Sequence, residues 1–219
     1  MSKTVLFGAV VLTAFAGVAQ ADTTILSFSF SDLSGGYSTS TSHFNALGVN
    51  MLPLQSQGDV SRVNLPGSGT ASYAAGAAAG LLNVDLVVSA IGPTTANGVG
   101  SIVITDANGD SFHADVSGQF VNNGLAVFFN GSLSNIGWTD VSHDGLFNGP
   151  SGGSIPLTFA PAPPPYLGSI VQLYIGAGNF FTSDFSGVST QVNGVVTPAP
   201  ASIALLSLGG LFAGRRRRA

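Results

Sequence analysis

The chain has 219 residues, a formal net charge of −4, 30 glycines and no cysteine. All ten acidic residues are aspartates, and of the six basic residues only Arg62 lies between the two ends of the chain. A region with a single cation cannot neutralise a phosphate backbone, which excludes nucleic-acid binding, and it offers no basic patch to an anionic membrane. Without cysteine there is no disulfide framework, so core burial or a bound metal has to supply the stability.

The N-terminal 21 residues have the pattern of an export signal. Lys3 supplies a positive charge, residues 5–18 are apolar and uncharged, and Ala19 and Ala21 form a small-x-small end. This pattern predicts a signal helix that signal peptidase removes after Ala21. We therefore expect the mature protein to begin at Asp22.

The central region alternates strand-like segments with glycine- and asparagine-rich turns. Apolar residues and serines alternate strictly over residues 26–31, which predicts a half-buried strand, ended by a turn at residues 32–36. Asn108-Gly109 and Asn123-Gly124 predict the turns of two hairpins. Further strands are predicted at residues 37–42, 59–63, 70–73, 84–91, 101–105, 111–116, 119–121, 125–133, 170–175, 179–185 and 187–196.

This spacing of strands predicts the fold class of the region. Short strands without long amphipathic helices favour an all-β fold, either an antiparallel β-sandwich or a jelly roll. The scarcity of glutamate, lysine and arginine agrees with this prediction, because these residues usually cover helix surfaces. We predict one domain over residues 22–196, preceded by the signal peptide at residues 1–21 and followed by a tail at residues 197–219.

The tail has three parts in a fixed order. It consists of a proline-bracketed motif, an uncharged apolar run over residues 203–214, and an arginine cluster. The prolines keep the motif extended, the run is short for a transmembrane helix, which needs about 20 residues, and the arginines favour the cytoplasmic side. The residues of the motif and the cluster are Pro198, Ala199, Pro200, Arg215, Arg216, Arg217 and Arg218.

This tail resembles the PEP-CTERM sorting signal of exopolysaccharide-producing Gram-negative bacteria, although Ala199 replaces the glutamate of the family motif. The resemblance is limited to the tail. It implies transient anchoring in the inner membrane, removal of the tail by an exosortase, and delivery to the cell surface or the extracellular matrix. The same tail is often labelled an ice-binding-protein C-terminal domain, a label that by itself shows no ice binding.

One hairpin turn has the composition of a weak Ca²⁺ site. Asp106, Asn108 and Asp110 carry oxygen ligands on alternate residues, as in EF-hand loops. The glycine precedes the third ligand instead of following it, and no acid occupies the last ligand position. Since Asp and Asn also favour turns, turn formation is the main interpretation and Ca²⁺ binding the weaker alternative.

Two other polar groups contain residue types that occur in catalytic sites, but only the second has a plausible arrangement. Ser111, His113 and Asp115 share one face of a predicted strand, which is a solvated face and not the geometry of a catalytic triad. His143 and Asp144, with an aspartate nearby at position 140, are candidates for a metal or acid–base site in a loop.

The sequence as a whole predicts an exported, non-enzymatic protein with exopolysaccharide as a partner and without a cofactor other than the Ca²⁺ alternative. One alternative is a carbohydrate-binding module that stacks sugars on exposed aromatic rings. Another is a secreted hydrolase that uses an aspartate pair or a His–Asp metal site. The aromatic candidates for the binding module are Trp138, Tyr37, Tyr73, Tyr166 and Tyr174.

Overall fold

The structure is a computed structural model that describes residues 23–162, 164–176 and 180–199, except the side chains of residues 171–176. One compact unit spans Asp22–Ala199. Within the described residues all regular elements are β-strands. This part of the chain contains no helix that is long and apolar enough to cross a membrane. The predicted signal helix and the predicted transmembrane helix both lie outside these residues.

The strands of the described chain are β1 (Leu26–Ser38), β2 (His43–Leu47), β3 (Asn50–Met51), β4 (Leu54–Gln55), β5 (Gln57–Arg62), β6 (Gly69–Tyr73), β7 (Leu82–Ser89), β8 (Thr95–Thr105), β9 (Ser111–Asn122), β10 (Ala126–Thr139), β11 (Leu146–Asn148), β12 (Ser154–Pro156), β13 (Tyr166–Gly176) and β14 (Phe185–Pro198).

Most of these strands belong to one 10-stranded antiparallel sheet, in the order β14-β13-β10-β9-β8-β7-β2-β1-β5-β6. β14 also pairs with β1, which closes part of this sheet into a ring. The ring consists, in order, of β1, β2, β7, β8, β9, β10, β13 and β14. β5 and β6 extend from the first half of β1, and β3–β4 and β11–β12 are separate two-stranded pairs. The prediction of an all-β, antiparallel domain is confirmed.

The turn predicted at residues 32–36 is wrong, because β1 continues through it. The register of β1 against β14 shifts between Phe30 and Leu33, and Asp32 takes a left-handed conformation with φ 56°. Such an irregularity bends a strand without ending it. Here it marks the point where β1 changes one partner, from β5 to β2, while it keeps β14 on the other side.

Both predicted hairpins are confirmed, whereas two predicted strands are wrong in part. β8 pairs with β9 across Asn108-Gly109, and β9 pairs with β10 across Asn123-Gly124, with both glycines at positive φ. The strand predicted at residues 37–42 ends at Ser38, and residues 39–42 form a turn. The strand predicted at residues 179–185 is wrong over residues 180–184, which form turns. Phe180 and Phe181 are buried there, so their apolar character reflects burial in a connection and not a strand.

Aromatic side chains fill the inside of the ring. The ring centroid of Phe28 in β1 lies 5.7 Å from that of Phe112 in β9, and Phe44 in β2 lies 5.6 Å from Phe120 in β9. β9 lies across the ring from β1, so these contacts join opposite sides of the sheet. Aromatic pairs of this kind contribute about 0.5–1.5 kcal/mol beyond their buried area.

The connections between strands gather at two ends of the ring. Residues 106–110 and 140–145 follow β8 and β10 at one end of the ring. We call them the aspartate loops, since they contain four aspartates. At this end lie also the start of β1 and the end of β14, where the Ile25 N–H donates to the Val196 carbonyl at 2.8 Å. We call residues 39–42, 122–125 and 180–184 the opposite loops, which lie at the other end.

Candidate functional site

Three carboxylates meet at the aspartate loops. Asp110, Asp140 and Asp144 each offer one carboxylate oxygen, and these oxygens all lie within 4.8 Å of one another. Pairing of Ser111 with Thr139 in the β9–β10 ladder places Asp110 beside Asp140. Asp110 is buried, whereas the other two are exposed. Among the described residues, this is the one group of three or more His or Asp side chains with ligand atoms this close together.

Asp110 is held by donors from the neighbouring loop. Its Oδ1 accepts the N–H groups of Val141 (2.6 Å) and Ser142 (2.8 Å), and its Oδ2 accepts the Ser142 hydroxyl at 2.7 Å. Burial alone would raise the pKa of Asp110, but these donors of Ser142 and Val141, with a contribution from His143, hold it below the ordinary value of 3.8. Asp110 is therefore ionised at neutral pH.

The two exposed members also accept hydrogen bonds from their own loop. Asp140 Oδ1 accepts the N–H of His143 at 2.7 Å, and Asp144 Oδ1 accepts the N–H of Leu146 at 2.7 Å. The second oxygen of Asp144 accepts the side-chain amide of Asn148 at 3.0 Å. The trio thus offers oxygen ligands of the kind that Ca²⁺ takes, while each carboxylate already organises the loop that carries it.

The first residue of the predicted Ca²⁺ set has a different environment. Asp106 is only 1% exposed, and its carboxylate accepts the backbone N–H groups of Asn108 (2.7 Å), Asp110 (2.9 Å) and Asn148 (2.6 Å). These bonds are those of a turn-forming aspartate. The structure therefore brings Asp110 together with Asp140 and Asp144, and Ca²⁺ binding by the original set stays a prediction.

The meeting of Asp110 and Asp140 does have a signal in the sequence, although it is not a local one. The hairpin turn at Asn123-Gly124 fixes which residues of β9 and β10 lie opposite each other. Counting outward from that turn pairs Ser111 with Trp138, and the irregularity between Ser134 and Gly137 then shifts the pairing by one residue, to Ser111 with Thr139. Without this count, the two aspartates look unrelated because they lie far apart in the chain.

The Ser–His–Asp group lies on the outer face of β9, as predicted. Phe112, Ala114 and Val116 are buried, so the alternate residues Ser111, His113 and Asp115 point to the other side of the strand. They form one column along the strand and no triad.

Of the five aromatic residues proposed for sugar stacking, two are buried and two are half-buried. Trp138 packs against Phe112, Phe147 and Phe159, with ring centroids 5.3–5.5 Å away. Tyr37 and Tyr73 are buried, at 5% and 2% exposure. Trp138 itself is half-buried, so it packs against the edge of the core and keeps part of its surface exposed. Of the remaining candidates, Tyr166 is half-buried, and the side chain of Tyr174 is among those that the structure does not describe.

Arg62 is turned into the protein. The residue is 3% exposed, and its guanidinium donates to the carbonyl oxygens of Pro66 (3.0 Å), Thr158 and Ala160 (2.7 Å). Burial lowers the pKa of Arg62. Because it is the only lysine or arginine between Lys3 and the terminal cluster, the surface of the described domain displays neither residue. Its exposed polar groups are hydroxyls, amides, carboxylates and imidazoles.

Asp110 is not suited to act as the acid of a carboxylate acid–base pair, because that acid needs a raised pKa and the donors around Asp110 lower its pKa. Comparison with known proteins found no family model, no curated protein and no solved structure that matches this chain. The residues and their geometry therefore carry the functional proposal.

Proposed function

We propose that this chain is an exported, non-enzymatic protein of the cell surface or the exopolysaccharide matrix, sorted by its C-terminal tail. The observation that carries the proposal is the arrangement of three segments. An export-signal pattern precedes one compact β-domain, and the three-part tail begins directly where the last strand ends at Pro198. In this proposal an exosortase and signal peptidase are the processing partners.

The environment of the polar groups supports a structural role. The buried carboxylates of Asp106 and Asp110 accept hydrogen bonds from loop backbone, and the buried Arg62 guanidinium donates to loop carbonyls. These groups hold connections between strands in place. A surface without lysine or arginine also favours partners recognised through hydroxyls and amides, such as neutral segments of a polysaccharide.

We further propose that the closed sheet has the layered form of a β-sandwich. Phe28 of β1 and Phe112 of β9 are on opposite sides of the ring, yet their ring centroids are 5.7 Å apart. Phe44 and Phe120 bridge the same interior at 5.6 Å. Rings that meet across the interior favour two facing layers over a wide, open centre.

The test is intact-mass measurement and cell fractionation of the protein from its native host, with and without replacement of the four terminal arginines by glutamine. We expect the wild-type protein at the surface, beginning at Asp22 and lacking its arginine cluster. The glutamine variant should keep its tail, because the positive end that fixes tail orientation is gone. An unprocessed wild-type protein in the inner membrane contradicts the proposal.

Two control variants separate charge from motif. Replacing the four arginines by lysine keeps the positive charge, and it should preserve orientation in the membrane. Ala199→Glu restores the glutamate of the motif that the tail resembles, so it should increase the processed fraction if the resemblance reflects a shared enzyme. Equal processing of the wild type and the Ala199→Glu variant contradicts recognition through that position.

Our second proposal is carbohydrate binding. In this proposal the sugar does not stack on the aromatic rings that pack in or against the core. Trp138→Ala is a poor test, because this ring packs against Phe112, Phe147 and Phe159 and its loss would disturb the core. Polar groups of the outer face, such as the exposed Asp115 and the half-buried His113, are better sites to change. Glycan binding that survives all such surface changes contradicts this proposal.

A further inference from the structure

The proposed sorting motif is continuous with the sheet. Pro198 is the last residue of β14 and lies opposite Tyr166 of β13. The N–H of the next residue, Ala199, donates to the carbonyl of Pro165 at 2.9 Å. Two residues of the motif are thus held by the folded domain, and the third, Pro200, follows without an intervening linker.

The strand that holds them is paired on both sides. Val196 lies opposite Leu26 of β1 and opposite Gly168 of β13, and its side chain is fully buried. Its carbonyl accepts the N–H of Ile25 at 2.8 Å. Thr197, Pro198 and Ala199 are each half-buried. Releasing this end of β14 therefore means breaking pairs with β13 and uncovering a core residue next to them.

A processing enzyme binds its substrate in an extended form and needs access to the peptide group that it cuts. Backbone already engaged in a sheet is open to cleavage only during local opening. Resting on the proposed function, we infer that the sheet sets an N-terminal limit to processing. The bond that is cut lies at Ala199–Pro200 or beyond it, and the mature protein keeps Pro198 and Ala199.

The chemistry of the step is the cleavage of one peptide bond. The carbonyl carbon on the domain side takes the hydroxyl of water, or the oxygen or nitrogen of an acceptor nucleophile in a transfer reaction. The nitrogen of the departing tail takes a proton. In either form, the domain side ends with its last strand complete.

The first experiment needs no host enzyme. The full chain is purified in mild detergent, digested with proteinase K under native conditions, and analysed by intact mass. We expect a resistant fragment that ends at Ala199 or a few residues later, with bonds before Ala199 cut at least about tenfold more slowly than those after it. A stable fragment that ends before Pro198 overturns the inference.

The second experiment uses a variant with a glycine-serine spacer and a second copy of the motif inserted after Ala199. In the native host we expect cleavage within the freed second copy, at a higher rate than in the wild type, and no product that lacks Pro198. Host products that end before Pro198 overturn the inference even when sorting is efficient. If the host leaves both chains unprocessed, the proposed function fails, and the digestion of the purified chain still decides the inference.

Discussion

At both ends of the ring, side-chain oxygens of Asp or Asn accept hydrogen bonds from loop N–H groups, but the environments of these oxygens differ. At the aspartate loops, Asp106 and Asp110 accept backbone N–H groups while they are almost fully buried. At the opposite loops, Asp184 accepts the N–H and the hydroxyl of Thr39, at 2.8 and 2.6 Å, on an exposed surface. Asn123 likewise accepts an N–H from Leu125 there, at 3.0 Å. The hydrogen bonds have similar lengths, but their surroundings differ.

Burial, and not hydrogen-bond length, therefore decides what a loop carboxylate contributes. When an exposed acceptor is removed, water replaces it. When a buried acceptor is removed, its donors stay unsatisfied, and each unsatisfied donor costs about 1–3 kcal/mol. We expect the aspartate loops to be the sensitive end of the domain and the opposite loops to be the tolerant end.

The largest effect is expected for Asp110→Ala. It removes the acceptor of two backbone N–H groups and one hydroxyl in a buried position, and it should lower the free energy of unfolding by about 2–4 kcal/mol. Urea denaturation measures this change. Asp110→Asn keeps one acceptor oxygen and serves as the matched control, with roughly half of the loss. An alanine variant as stable as the wild type would remove the contrast between the two ends.

The next effect is expected at Arg62, which ends β5 at the same end of the ring. Arg62→Met removes the donors to three carbonyl groups, and we expect a loss of about 2–3 kcal/mol in the free energy of unfolding. Arg62→Lys keeps the charge but cannot reach all three carbonyls in the same geometry, so it should fall between wild type and methionine. An Arg62→Lys variant with the same free energy of unfolding as the wild type would show that the guanidinium geometry does not contribute to stability.

The pH dependence gives a finer test of the aspartate loops. The pKa of Asp110 is lower in the folded protein than its ordinary value of 3.8, so the unfolded chain takes up this proton more readily. The stability that this group contributes is present above pH 3.8 and is lost as the pH falls through the lowered pKa. The difference between wild type and Asp110→Asn in urea unfolding should be constant near neutral pH and shrink below about pH 4. A difference that grows on acidification contradicts this sign.

The smallest effect is expected for Asp184→Ala at the opposite loops. The hydroxyl and the N–H of Thr39 lower the pKa of Asp184, yet the carboxylate is exposed and water can replace it. The midpoint of urea unfolding should stay within experimental error of the wild type. Thr39→Val tests the same contact from the other side and should agree with it. A shift as large as that of Asp110→Ala would mean that burial is not the deciding factor.

The fold was predictable where local patterns agree with the final pairing. The alternation over residues 26–31 and the turns at Asn108-Gly109 and Asn123-Gly124 predicted strands and hairpins that the structure confirms. Local composition gave the wrong prediction at residues 32–36, where an Asp-Gly-rich stretch overlaps an irregularity inside β1 and does not end the strand. Whether such a stretch turns or bends depends on a partner strand near the other end of the chain, which local patterns do not reveal.

The candidate site was predictable only in parts. The composition of the two loops drew attention to Asp110 and, separately, to Asp140 and Asp144. Their convergence depends on the register of β9 against β10, which places Ser111 opposite Thr139. The inward orientation of Arg62 had no local signal either, because its carbonyl partners at Thr158 and Ala160 belong to a distant connection.

The pairing of β1 with β14 also affects how the chain reaches this fold. Leu26 lies opposite Val196, so the first strand of the domain must wait for the last one before the ring closes. Contacts of such long sequence separation form slowly. In the exported protein that we propose, one edge of β1 stays open until the end of the domain has crossed the membrane. During that interval the open edge is the part of the chain most exposed to aggregation, and the natural target for a periplasmic chaperone.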